Sequence, residues 1–148
     1  MRPAALAAVL LALAPTVASA QIKHFAITKP PGAPVPPVSN AVLAGDTLYI
    51  GATTDAEPAT NTPPPADAKA GAKVVLDKIK KTLEDAGMTM DDLVWVQIFV
   101  SDVRYADDFN AVYRTYFKGA FPARGIIGSG TLLAGAHFEV NGIAVKAK

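Results

Sequence analysis

Few side chains in this sequence are placed to do chemistry, and Arg124 stands first among them. It follows Phe121-Pro122-Ala123, so a proline-restricted turn delivers it to the start of the glycine-flanked run Gly125-Ile126-Ile127-Gly128. A guanidinium held there can offer its planar fork to a carboxylate in a shallow cleft, or it can sit in a surface ion pair. Spacing alone favours the ion pair. The chain has no cysteine, which excludes thiol catalysis, iron–sulfur clusters, Cys-based zinc sites and disulfides. Its two histidines, His24 and His137, have no second histidine or close carboxylate pair at ligand spacing, so each reads as an ordinary strand residue before a metal ligand. Neither adjoins a nucleophile elbow, so no Ser-His-Asp triad can be nominated. Gly128-Ser129-Gly130 lacks the third glycine of a dinucleotide loop, and no Gly-Lys-Ser/Thr follows; these glycines, with Gly135, read as a turn and bulge.

The elements that must position Arg124 follow from periodicity. Ile22 to Ile27 alternates as a short strand that ends at Lys29-Pro30-Pro31-Gly32, and Pro34, Pro36 and Pro37 then hold the chain extended. Ala41–Ala44 and Thr47–Ile50, joined at Gly45-Asp46, predict a hairpin. Asp55 to Ala66, with four prolines, predicts a surface loop. Asp67 can cap a helix that Gly87 ends, with Ala68, Ala72, Val75, Leu76, Ile79, Leu83 and Ala86 along one stripe and Lys73, Lys78, Lys80, Lys81, Glu84 and Asp85 on a solvated face. Leu93–Val100 is apolar except at Gln97 and does not alternate, which suits a strand covered on both faces. Phe109, Val112, Tyr113, Tyr116 and Phe117 define a second amphipathic helix with Asp107 and Asp108 in its first turn, and this aromatic stripe reads as core. Gly125–Gly128 and Phe138–Val145 complete the strands, with Asn141-Gly142 as a strand interior carrying a bulge. The order is that of an α+β domain, a mixed sheet with two helices to cover one face. Two helices cover one face only, so the composition of Leu93–Val100 hints at a second copy of the chain over the other.

Residues 1–20, MRPAALAAVLLALAPTVASA, read as a secretory signal peptide: an early charge at Arg2, an apolar run, the Pro15 break and a small-residue end at Ala18-Ser19-Ala20. Cleavage before Gln21 leaves 128 of the 148 residues as one domain, exported to the periplasm or beyond. The leader carries one arginine and no acid, so the formal charge of +1 falls to zero in the mature chain. A balanced chain with no basic cluster argues against general affinity for nucleic acid or anionic membrane.

Taken together, Phe121-Pro122-Ala123-Arg124, Val100-Ser101-Asp102, Phe109-Asn110-Ala111-Val112-Tyr113 and the closing run Phe138–Val145 resemble the RidA/YjgF family of reactive-intermediate deaminases. Pro37–Val42 and Ala44–Ile50 are similar to the amino-terminal pattern of that family in weakened form. The resemblance implies a chorismate-mutase-like fold assembled as a homotrimer, with three clefts between subunits that hydrolyse amino-acid-derived enamines and imines, such as 2-aminoacrylate, to a 2-keto acid and ammonia without cofactor or metal. By the same resemblance Arg124 binds the substrate carboxylate, Glu139 positions the attacking water as general acid and base, and Asn110 and Ile126 line the pocket, Ile126 through its backbone. Val38 stands where an aromatic residue is frequent, Asn40 where glutamine is, and Gly51-Ala52-Thr53 where Ser-Gly-Gln is usual. Two hydroxyls are therefore missing from the pocket wall formed by Val38 and Gly51, which predicts a more apolar cleft that still prefers a carboxylate.

The leading expectation is an exported enamine/imine deaminase. The alternative is a trimeric, non-catalytic binder of small carboxylates in the same cleft, motivated by Val38, Gly51 and export. RNA cleavage, a label attached to some relatives, fits poorly with zero net charge and the lack of a base-stacking surface.

Overall fold

The turn residues Gly45-Asp46 bring Ala41–Ala44 (β2) against Thr47–Thr54 (β3), with Gly45 at a φ of +60° that costs glycine nothing. These coordinates, a computed structural model, describe residues 21–29, 31–32, 35–57 and 60–146. The leader at residues 1–20 and Pro30, Pro34 and Pro58 lie outside the described residues. Ile22–Phe25 (β1) pairs with β2, and is shorter than the strand to Ile27 that alternation predicts.

Asp67 caps the first helix as predicted, its carboxylate accepting from the backbone N–H groups of Lys69 and Ala70. That helix, Ala68–Asp85 (α1), ends where Gly87 takes a φ of +73° and donates to Glu84 O while Met88 donates to Leu83 O, a paired closure that satisfies two terminal carbonyls. Six of the seven predicted stripe residues are buried, joined by Gly71 and Thr82, while Ala86 is half-buried, and Lys73–Asp77 and Lys81–Asp85 pair along the exposed side. Leu93–Val100 (β4) follows, then Ala106–Tyr113 (α2), whose helical course tightens into a 3-10 turn at Arg114–Tyr116. Ala123–Gly128 (β5) runs parallel to β4, and α2 is the crossover that such a pairing needs. Phe138–Val145 (β6) lies between β3 and β4, antiparallel to both, giving the sheet order β1-β2-β3-β6-β4-β5.

Asn141-Gly142 is a strand interior, and the bulges fall on its partners. Gly51 and Ala52 of β3 together oppose Asn141, and Val94 of β4 is the extra residue between the pairs Leu93–Ala144 and Trp95–Ile143. The core lies between the sheet and the helices, where Phe109 of α2 meets Phe138 of β6 with ring centroids 5.0 Å apart and both side chains fully buried.

The two helices imply one covered face for β4 within a single chain, and the structure agrees; the surface loop expected from Asp55 is corrected. Within one chain β4 is covered on one face only: Leu93, Val96, Ile98 and Val100 are buried, while Val94 and Trp95 are exposed and Gln97 and Phe99 are half-buried. Tyr49, Ile143 and Trp95 stand side by side across β3, β6 and β4 on that uncovered face. The loop predicted from Asp55 starts inside the molecule. Asp55 is 3% exposed because its carboxylate gathers three donors. Oδ1 accepts from the backbone N–H groups of His137 (2.9 Å) and Phe138 (3.0 Å), and Oδ2 lies 2.9 Å from His137 Nδ1.

Candidate active site

Arg124 sits on β5 opposite Val96 of β4, and neighbouring residues of adjacent strands point to the same face, so its side chain rises on the helix side. There α2 meets it with two residues three positions apart, which lie on one helical face. The Arg124 Nη1 donates to Asn110 Oδ1 at 2.7 Å, and the guanidinium carbon lies 4.9 Å from the centre of the Tyr113 ring. Asn110, Tyr113, Arg114, Phe121, Pro122 and Arg124 line a groove of about 210 Å³. Burial pushes the Tyr113 phenol up to about 12, against the opposing pull of the nearby Arg124 charge. Arg124 is exposed and has five N–H donors, so with one given to Asn110 the rest of its fork can meet an anion from the groove. Ile126, two residues further on, shares this face.

The other predicted residues gather elsewhere. Glu139 of β6 is opposite Phe99 of β4 and lies between buried Phe138 and Val140, so it points to the uncovered face. Gly51 is on the adjoining β3, where its N–H donates to Asn40 O at 2.8 Å. Exposed Val38 precedes Ser39, whose carbonyl oxygen would lie 2.9 Å from a Cβ at Gly51. Arg124 and Glu139 are separated by β4 and by three residues of register, roughly 14 Å between Cα atoms from ordinary strand spacing and rise, and they face opposite sides. One chain therefore holds two groups: Arg124, Asn110 and Ile126 at the β5–α2 edge, and Glu139, Gly51 and Val38 toward β3 and β6.

Sequence reasoning missed the Asp55–His137 pair. The two are 82 residues apart, and no local pattern links them. Tyr105 meets the His137 ring edge-on at 4.9 Å, and a Cβ at Gly71 would fall 2.3 Å from Asp55 Oδ2, so the pair locks the end of β3, the start of β6 and α1 together.

The family model described as endoribonuclease L-PSP matches residues 28–146, which takes in every element except β1. A RutC family protein of Sulfurisphaera tokodaii is 35% identical over 113 residues, covering 76% of this chain and 90% of its own length. A second, from Saccharolobus solfataricus, is 30% identical over 125 residues, covering 84% and 99%. The crystal structure of the YjgF gene product of Escherichia coli matches with a TM-score of 0.73 at 28% identity, over 84% of this chain and 99% of that one. Agreement in sequence and in fold over nearly the full length of these relatives places the chain in the RidA/YjgF family.

Proposed function

We propose that this protein is an exported deaminase of amino-acid-derived enamines and imines, working as a homotrimer in which the Arg124 group of one subunit faces the Glu139 group of the next. The observation that carries the reading is the Arg124 guanidinium, restrained by Asn110 and Tyr113 while most of its donors stay open to the groove. Arg124 binds the substrate carboxylate and so presents the adjoining C=N carbon in a fixed orientation. Glu139, as carboxylate, takes a proton from water as its oxygen bonds to that carbon and the C=N electron pair moves to nitrogen. Proton return to nitrogen and collapse of the carbinolamine release ammonia and leave a 2-keto acid. An enamine such as 2-aminoacrylate enters this sequence after tautomerising to its imine. None of these steps calls for a cofactor or a metal.

The test is keto-acid release from freshly generated 2-aminoacrylate by the processed chain, whose intact mass should place its first residue at Gln21. Arg124→Ala should lower kcat/KM by about a hundredfold, the loss expected when one member of a charge-assisted pair is removed. An unchanged rate removes Arg124 from the mechanism. The absence of hydroxyls at Val38 and Gly51 favours a second reading, a carboxylate binder without turnover. Binding of 2-ketobutyrate by a protein that accelerates nothing would select it. Cleavage of RNA, which the endoribonuclease description of the family names, is opposed by the zero net charge of the mature chain.

A further inference from the structure

We infer that Tyr113 is a positioning residue, whose aromatic face rather than its hydroxyl holds the Arg124 guanidinium ready for a carboxylate. The inference rests on the reading of Arg124 as an anion-binding group. A single hydrogen bond to Asn110 tethers one amino group of a long side chain and leaves the plane of the guanidinium free to turn about that bond. The Tyr113 ring, 4.9 Å from the guanidinium carbon, supplies a negative face that removes this freedom.

The ring is itself firmly held. Phe109 stacks on it at 5.7 Å and 28°, Phe121 at 6.1 Å and 22°, and Phe117 meets it at 4.7 Å. Phe109 is anchored in turn against Phe138 in the core, and Phe121 lies three residues before Arg124 on the same stretch of chain. Restraint thus passes from the core through α2 to the guanidinium. The Tyr113 hydroxyl makes no hydrogen bond: it is buried and has no hydrogen-bond partner among the described residues. A buried hydroxyl without a partner is a cost, so the packing here uses the ring face. The phenol, pushed up to about 12 by burial, also stays neutral at ordinary pH, so Arg124 meets a π face and not a phenolate.

Two variants of the processed protein separate ring from hydroxyl: Tyr113→Phe, and pentafluorophenylalanine at position 113, which keeps the ring shape and drains its negative face. Tyr113→Phe should hold the KM for the imine and the Kd for 2-ketobutyrate within twofold of wild type. The fluorinated variant should raise both roughly three- to thirtyfold, the range of a cation–π contact, with kcat changed less. In an Arg124→Ala background fluorination should cost nothing further. Tyr113→Phe weakening binding as much as fluorination would assign the role to the hydroxyl, and a flat response to fluorination would remove the ring. If wild type neither binds nor turns over these acids, the functional reading fails by itself. The 15N–1H signal of Arg124 Nε then decides the present inference: it should be sharp in wild type and Tyr113→Phe and broadened on fluorination, and no difference would overturn the inference.

Discussion

At the scale of single residues, what a position tolerates is set by what already surrounds it. Gly51 shows this. Restoring a serine where the family usually has one looks like a simple return of a hydroxyl, yet a Cβ at Gly51 would fall 2.9 Å from Ser39 O and 3.0 Å from Asn40 O, both backbone atoms that cannot swing aside. Gly51→Ser should therefore destabilise the fold by about 1–3 kcal/mol and leave turnover no faster, read by denaturant unfolding and by the keto-acid assay. A serine that stabilised the protein or sped the reaction would overturn this account. The position of Arg124 at the start of β5 was legible from the Pro122 turn before it, while its choice over a surface ion pair came from the family resemblance. The tie between Asp55 and His137 was not legible, because a carboxylate at the head of a polar, proline-containing segment looks solvated until the chain at His137 and Phe138 supplies its donors.

Elements were legible where the local chain supplies its own start and stop signals. α1 begins at a side chain that caps it and ends at a glycine whose positive φ closes it, so its bounds could be read before any packing was known. Asp67→Ala should cost about 1 kcal/mol, seen as a lower urea midpoint at unchanged slope, since only the cap bonds to Lys69 and Ala70 are lost. A midpoint at the wild-type value would show that the cap contributes nothing. β4 was harder to read. Its run of apolar residues carries no alternation, so the sequence implies cover on both faces, while its own helices cover one. The aromatic stripe of the second helix reaches Tyr116 because the chain continues past Tyr113 as a 3-10 turn at Arg114–Tyr116, whose three-residue period keeps Tyr113 and Tyr116 on one side.

For the whole molecule the uncovered face is the deciding feature. Tyr49, Ile143 and Trp95 form an apolar row across three central strands, and Glu139 opens onto the same side. A homotrimer that buries this face would also join the two separated groups of candidate site residues. Sedimentation equilibrium should then give three chains per particle, and Ile143→Lys should give single folded chains that have lost turnover. Single chains in the wild type, or an Ile143→Lys monomer with full activity, would remove the intersubunit site.

The sequence alone determined the α+β class, the hairpin, the caps of the first helix and the position of Arg124 at the start of β5, because each depends on residues close together along the chain. Tertiary structure decided that Asn110 and Tyr113 flank Arg124, that Asp55 is buried against His137, and that Arg124 and Glu139 lie on opposite faces of the sheet. Those facts depend on which strands become neighbours and in what register. A shift of one residue in that register would send every side chain on a strand to the other face.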